Sequence, residues 1–124
     1  MPMSAAHEEE YGSISVRAAG RDWTLLRPAD LESLWQAMAE EESTPQEFLE
    51  DERLPYWVEL WPSSIALSGW IAERGSELRG RACLDMGCGL GLTAMVAHGL
   101  GAKVVGMDYE QAALEFASLN AAHN

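Results

Sequence analysis

Leu84-Asp85-Met86-Gly87-Cys88-Gly89-Leu90-Gly91 joins an apolar run, Ala82 to Met86, to a helical pattern, Leu92 to Leu100. The order reads as strand, tight turn, helix. Glycine lets the turn take positive φ and lets backbone approach a ligand that a Cβ would hold away. The helix that follows aims its free N–H groups and positive dipole end at the same place. A second apolar strand, Lys103 to Met107, ends in Asp108, nineteen positions after Gly89. An acid at the tip of the second strand is placed to accept hydrogen bonds from ribose hydroxyls. These features together point to a nucleoside-cofactor site. Any βαβ unit favours a glycine in its first turn, which accounts for one or two of these glycines but not for the set with Asp85 and Asp108.

Glycine spacing separates the cofactors. The dinucleotide fingerprint G-x-G-x-x-G places its third glycine for close helix–strand packing. Counted from Gly87, that position is Leu92, and the third glycine comes one residue early, at Gly91. Asp85-x-Gly87-x-Gly89-x-Gly91 instead resembles the first motif of class I S-adenosylmethionine methyltransferases. In that resemblance the loop passes under the methionine and ribose parts of the cofactor, with no pyrophosphate to seat. The spacing therefore favours S-adenosyl-L-methionine over NAD.

The chain has 124 residues, an ordinary length for one domain, and 48% apolar content, enough for a packed core. Twenty acids against eight bases give a net charge of −12. A phosphate backbone is repelled by such a surface and a basic protein is attracted, so a nucleic-acid substrate is disfavoured. The acid runs at 8–10, 40–42 and 50–52 are also what solvated helix faces and a tail look like. Two cysteines, Cys83 and Cys88, make no disulfide framework, and Cys88 is expected to offer its backbone rather than its thiol to a cofactor. No run approaches the ~20 apolar residues of a membrane span, and Met1-Pro2-Met3-Ser4 opens no signal peptide, so a cytoplasmic protein without membrane contact is expected. His7, His98 and His123 have no metal-ligand spacing.

Residues 1–11 read as an acidic tail. Ser13 to Arg17 and Asp22 to Leu26 read as a hairpin around Ala19-Gly20-Arg21. Asp30 can cap a helix to about Glu42 with Leu31, Leu34, Trp35 and Met38 on one face. Thr44-Pro45-Gln46-Glu47 has the cap, proline and acid that start a short helix. Pro55 and Pro62 bracket an extended link, Tyr56 to Trp61, before a helix from about Ser63 to Gly75, and a last helix runs from Glu110 to about His123. Trp23, Trp35 and Trp70 fall in these elements and are expected as core anchors. Two parallel strands with their helices are few for a sheet buried on both faces, so more sheet is expected from a second chain, from self-association or from a longer protein.

Pro55-Tyr56-Trp57-Val58-Glu59-Leu60-Trp61-Pro62, Ala66-Leu67, the glycine stretch, Ala112-Ala113-Leu114 and Asn120 form a series over about residues 52–124. It resembles the seven-strand methyltransferases of lysine side chains on chaperones, elongation factors and the electron-transfer flavoprotein, whose bacterial members are often labelled nicotinamide N-methyltransferase-like. The resemblance implies an α/β, Rossmann-like class I methyltransferase fold, incomplete here, with residues 1–51 as an N-terminal hairpin and helices and 52–124 as the front half of the cofactor domain. It implies N-methylation of a protein lysine or a small amine, with Trp61, Gly87, Cys88, Gly89 and Asp108 at the cofactor. The family's later motifs, which sit beside adenine and at the substrate site, do not occur here, so no catalytic residue is assigned. From the residues alone Trp61 stands even between pocket and core. Asp85 is expected to order the glycine turn by accepting its N–H groups, with Gly91 completing the set. The alternatives are an NAD-dependent oxidoreductase and a non-catalytic binding subunit that works when paired.

Overall fold

A computed structural model describes residues 11–41 and 55–124. Residues 1–10 of the expected tail, the helix expected after Thr44 and the boundary expected at 51/52 lie outside the described residues, and Tyr11 already belongs to a strand. No helix among those described is long and apolar enough to cross a membrane.

Strands β1 (Tyr11–Ala18) and β2 (Arg21–Pro28) pair antiparallel, from Ala18↔Arg21 to Tyr11↔Pro28. Ala19 and Gly20 make the turn, both at positive φ (52° and 77°), the conformation that matches a hairpin's twist. Both strands run two residues further from the turn than their β-formers indicate, because pairing continues to Pro28 at the strand's end. Trp23 and Leu25 are buried on one face, and the Trp23 indole N–H donates to the Ala18 carbonyl at 2.9 Å.

Helix α1 (Leu31–Glu41) starts where expected. Asp30 Oδ1 accepts the Ser33 N–H at 3.0 Å and Oδ2 accepts its hydroxyl at 2.6 Å, which holds the carboxyl below its ordinary 3.8. Leu31 and Leu34 pack against the core, but Trp35 stays 38% exposed; the Met38 side chain lies outside the described set.

The link after Pro55 is not extended throughout. Tyr56–Val58 forms a 3₁₀ turn, with the Val58 N–H on the Pro55 carbonyl and the Glu59 N–H on the Tyr56 carbonyl, both at 3.2 Å. The turn buries Trp57 and Val58. Trp61 is extended (φ −76°, ψ 138°), as a residue before proline must be, and Pro62 opens α2 (Pro62–Glu73) one residue earlier than expected. Trp70 in α2 is not a core anchor: it is 53% exposed, with the Arg74 guanidinium 3.9 Å from its ring centroid. A short α3 (Gly75–Leu78) precedes the sheet.

β3 (Ala82–Met86), α4 (Leu92–Gly99) and β4 (Lys103–Met107) form a parallel βαβ unit in register Ala82↔Lys103 to Met86↔Met107, followed by α5 (Gln111–His123). Alternation gives the sheet two unlike faces. Cys83, Asp85 and Val104 are partly covered, whereas Leu84, Met86, Val105 and Met107 are 57%, 70%, 64% and 45% exposed. One apolar face is therefore bare of cover among the described residues. The core sits elsewhere: Ala18, Trp23 and Leu25 of the hairpin share one cluster with Trp57, Val58, Leu90, Leu92, Val96 and Ala113. The hairpin is packed onto the βαβ unit rather than hung from it.

Candidate functional site

At the carboxyl ends of β3 and β4 four amides of the turn, those of Gly87, Cys88, Gly89 and Gly91, each have a definite acceptor. The N–H groups of Gly87 and Cys88 both donate to the Met107 carbonyl, at 2.7 and 2.9 Å. Gly89 N–H donates to Asp108 Oδ2 at 3.0 Å, and Glu110 N–H donates to Asp108 Oδ1 at 3.1 Å. Gly91 N–H closes the turn on the Cys88 carbonyl at 2.9 Å. The carboxylate of Asp108 thus clasps the bend from the neighbouring strand. A carboxylate has about four lone-pair positions, so each oxygen keeps one acceptor position after these bonds.

Gly87, Cys88, Gly89, Gly91, Asp108 and Trp61 line one cavity of about 240 Å³. Trp61 is brought there by the 3₁₀ turn, which sends Trp57 inward and leaves Trp61 half exposed. Its indole N–H is held by the Tyr56 carbonyl at 3.1 Å, and its ring meets the Tyr56 ring edge-on with centroids 6.0 Å apart. Tyr56, Glu59, Ser64, Tyr109 and Glu110 also line the cavity and were not picked out from sequence. For Tyr109 a signal was present, since it directly follows the strand-tip acid; for Glu59 there was none, because only the 3₁₀ turn brings it round.

Glu59, Asp108 and Glu110 give the lining three carboxylates, and no lysine or arginine is among the described lining residues. Arg27 reaches Glu59 from outside at 3.4 Å. The cavity is therefore a negative one, with the exposed aromatic residues Tyr56, Trp61 and Tyr109 in its lining.

Asp85 departs from expectation. It does not line the cavity, and the amides of Gly87, Cys88, Gly89 and Gly91 all go to other acceptors. Strand alternation places its side chain with Cys83 on the covered face, toward α4. The N-cap of α4 is Gly91, which has no side chain to hold the helix's free amides. Burial raises the Asp85 carboxyl above its ordinary 3.8; the amide of Ala94, in the first turn of α4, opposes this, and the charge of Asp108 adds to it. Its Oδ2 is buried without a hydrogen-bond partner among the described residues. Asp85 thus faces the helix start behind the turn rather than the turn itself.

Cys88 lines the cavity, its N–H donating to the Met107 carbonyl and its carbonyl accepting the Gly91 N–H. Its Sγ lies where a Cβ on Gly106 would come within 3.1 Å, and burial, helped by the charges of Asp85 and Asp108, pushes its pKa up. A raised pKa keeps the thiol protonated and unreactive.

The sequence model of the family "Ribosomal protein L11 methyltransferase (PrmA)" matches residues 67–124. The chain is 37% identical over 67 residues to the electron transfer flavoprotein beta subunit lysine methyltransferase of Mus musculus, covering 53% of this chain and 26% of that one. It is 45% identical over 65 residues to the ribosomal protein L11 methyltransferase of Xanthomonas oryzae pv. oryzae, covering 52% and 18%. Against the L11 methyltransferase of Pseudomonas aeruginosa it is 36% identical over 91 residues, covering 73% and 30%. The chain thus spans a third or less of the length of these curated relatives. The part of the chain that matches is therefore similar to a segment of proteins named as lysine and ribosomal-protein methyltransferases.

Proposed function

We propose that the chain carries the S-adenosylmethionine-binding part of a cytoplasmic methyltransferase that transfers a methyl group to an amine, with a protein side chain as acceptor. The observation that carries the reading is Asp108, whose carboxylate clasps the glycine turn and keeps an acceptor position on each oxygen. Ribose hydroxyls are donors that fit those positions. The acidic lining suits a ligand with a cationic sulfonium and ammonium, and it disfavours the pyrophosphate of a dinucleotide. Leu92 at the third fingerprint position argues against NAD in the same direction.

When bound, S-adenosylmethionine supplies a methyl group already activated by positive sulfur. The chain's own task is to hold and orient. Asp108 would anchor the ribose, and the bare backbone of Gly87 and Gly89 would lie under the remainder. The ring faces of Tyr56 and Trp61 would meet positive charge, and Tyr109 would flank the base. Displacement at carbon needs donor and acceptor in line more than it needs a nucleophilic side chain, so orientation supplies the main catalytic gain. At about 240 Å³ the cavity is smaller than the ~300–1,000 Å³ of usual ligand sites, so it takes one portion of such a cofactor.

The net charge of −12 attracts a basic partner and repels nucleic acid. The relatives' names specify a flavoprotein subunit lysine and a ribosomal protein, which supports a protein acceptor. Isothermal calorimetry with S-adenosylhomocysteine and with NAD tests the cofactor. S-adenosylhomocysteine is expected to bind and NAD to give no heat; tighter binding of NAD would remove the methyltransferase reading.

We further propose that the fold is Rossmann-like, with β3, α4, β4 and α5 as its first two units, and that more polypeptide covers Leu84, Met86, Val105 and Met107. Parallel sheets are buried on both faces, and one face of this sheet is exposed among the described residues. Sedimentation of the chain should show association. A monodisperse monomer that unfolds cooperatively would contradict it.

A further inference from the structure

Asn120 is fully buried and spends its carboxamide on two distant segments. Oδ1 accepts the Leu26 N–H at 2.6 Å, while Nδ2 donates to the Leu26 carbonyl at 3.1 Å and to the Leu90 carbonyl at 2.9 Å. Leu26 lies in β2, and Leu90 lies between Gly89 and Gly91. One side chain therefore ties the hairpin to the glycine turn. The register explains why β2 is available. With Ala18↔Arg21 closing the hairpin, alternate residues Thr24 and Leu26 turn their N–H and C=O away from β1. One helical turn beyond Asn120, Asn124 repeats the pattern on Thr24: its Oδ1 accepts the Thr24 N–H at 3.1 Å and its Nδ2 donates to the Thr24 carbonyl at 2.9 Å. Two asparagines at i and i+4 thus pair with an open strand edge as a neighbouring strand would, but only Asn120 also touches the turn.

The side chain must be a carboxamide. A carboxylate lacks the donors for two carbonyls, and an aliphatic group would leave three buried backbone groups unsatisfied. No hairpin residue lines the cavity.

We propose that Asn120 is a positioning residue for the cofactor turn, and that it links hairpin docking to nucleoside binding. Ordering the turn fixes the Leu90 carbonyl, which holds the Asn120 amide, which holds β2; linkage requires the reverse influence to be equal. The proposal rests on the cofactor reading above and adds that the hairpin takes part in it.

Amide hydrogen exchange, with and without S-adenosylhomocysteine, tests the linkage on the intact chain. Binding is expected to slow exchange at 87–91 and also at Leu26 in β2. In Asn120→Ala the turn should exchange faster without ligand, affinity should fall on the order of tenfold, and ligand should no longer slow Leu26. Asn124→Ala removes the bonds to Thr24 but leaves Asn120 on Leu26 and Leu90, so ligand should still slow exchange at Leu26 in that variant. Protection at the turn with none at Leu26 in the unaltered chain overturns the linkage and leaves the cofactor reading standing. Absence of protection at both overturns that reading and the linkage with it. The unaltered chain decides the matter even if Asn120→Ala does not fold.

Discussion

Asp108→Ala is expected to weaken S-adenosylhomocysteine binding by roughly 1–3 kcal/mol, the cost of leaving hydrogen-bonding groups without their partner. Two losses coincide in this variant. The free acceptor positions that ribose would use disappear, and the amides of Gly89 and Glu110, now bonded at 3.0 and 3.1 Å, are released. Water can satisfy part of the second loss, because Asp108 is only partly buried, so stability should fall by less than affinity does. Asp108→Asn separates acidity from shape. Both oxygens already accept an N–H, so an amide must turn its own N–H groups toward a donor on one side. The asparagine variant should therefore bind nearly as poorly as alanine. Calorimetry on both variants, with denaturant unfolding alongside, checks this. If stability drops while affinity holds, Asp108 is a fastener of the turn and not a ligand of the nucleoside.

What was legible in the sequence was whatever local chemistry determines. β3 and β4 begin and end at the expected residues, because Gly87 and Gly101 punctuate them and because Asp108 must stand at a tip to clasp the turn. Asp30 capped its helix for the same local reason. The glycine set and Trp61 were read onto one cavity, and the structure brings them together. What was not legible depends on direction in space. Asp85 sits two residues before Gly87, and proximity in sequence linked it to the turn. A strand's period of two points it instead at the start of α4, where Gly91 leaves amides uncapped. Tryptophan content was equally ambiguous. Trp57 and Trp61 stand in one short link and both line the cavity, and only the i→i+3 bonds of a 3₁₀ turn, which leave no hydrophobic periodicity, bury the first in the core and leave the second half exposed. Trp70 shares its helix with Leu67, and both face outward because α2 is apolar around much of its circumference and buries only part of it. Asn120 was noticed as part of a motif; its triple bond set needed the hairpin's register, which involves residues some ninety positions away.

Gly91→Ala should destabilise the fold by roughly 2–5 kcal/mol, from two penalties of different origin. Gly91 has φ 92°, so any Cβ suffers the left-handed penalty of about 1–2 kcal/mol. A Cβ there would also stand 3.2 Å from the Ala117 Cβ and 3.4 Å from its Cα, on the face where α5 crosses the turn. Gly87 is the natural comparison: its φ is 71°, yet nothing lies within 4 Å of an added Cβ. Gly87→Ala should therefore pay the conformational cost alone and unfold at a higher denaturant concentration than Gly91→Ala. A double-mutant cycle with Ala117→Gly divides the two contributions at Gly91. That substitution costs up to about 1 kcal/mol of helix propensity by itself, but in the Gly91→Ala background it removes the collision and should show a favourable coupling energy. The φ penalty should remain after the collision is relieved, because it belongs to the backbone that launches α4. Equal losses for Gly87→Ala and Gly91→Ala, with no coupling to Ala117, would mean that α5 does not pack on the turn. The Asn120 bridge, carried on the same face of α5 one turn further on, would then lose the geometry that lets it reach Leu90.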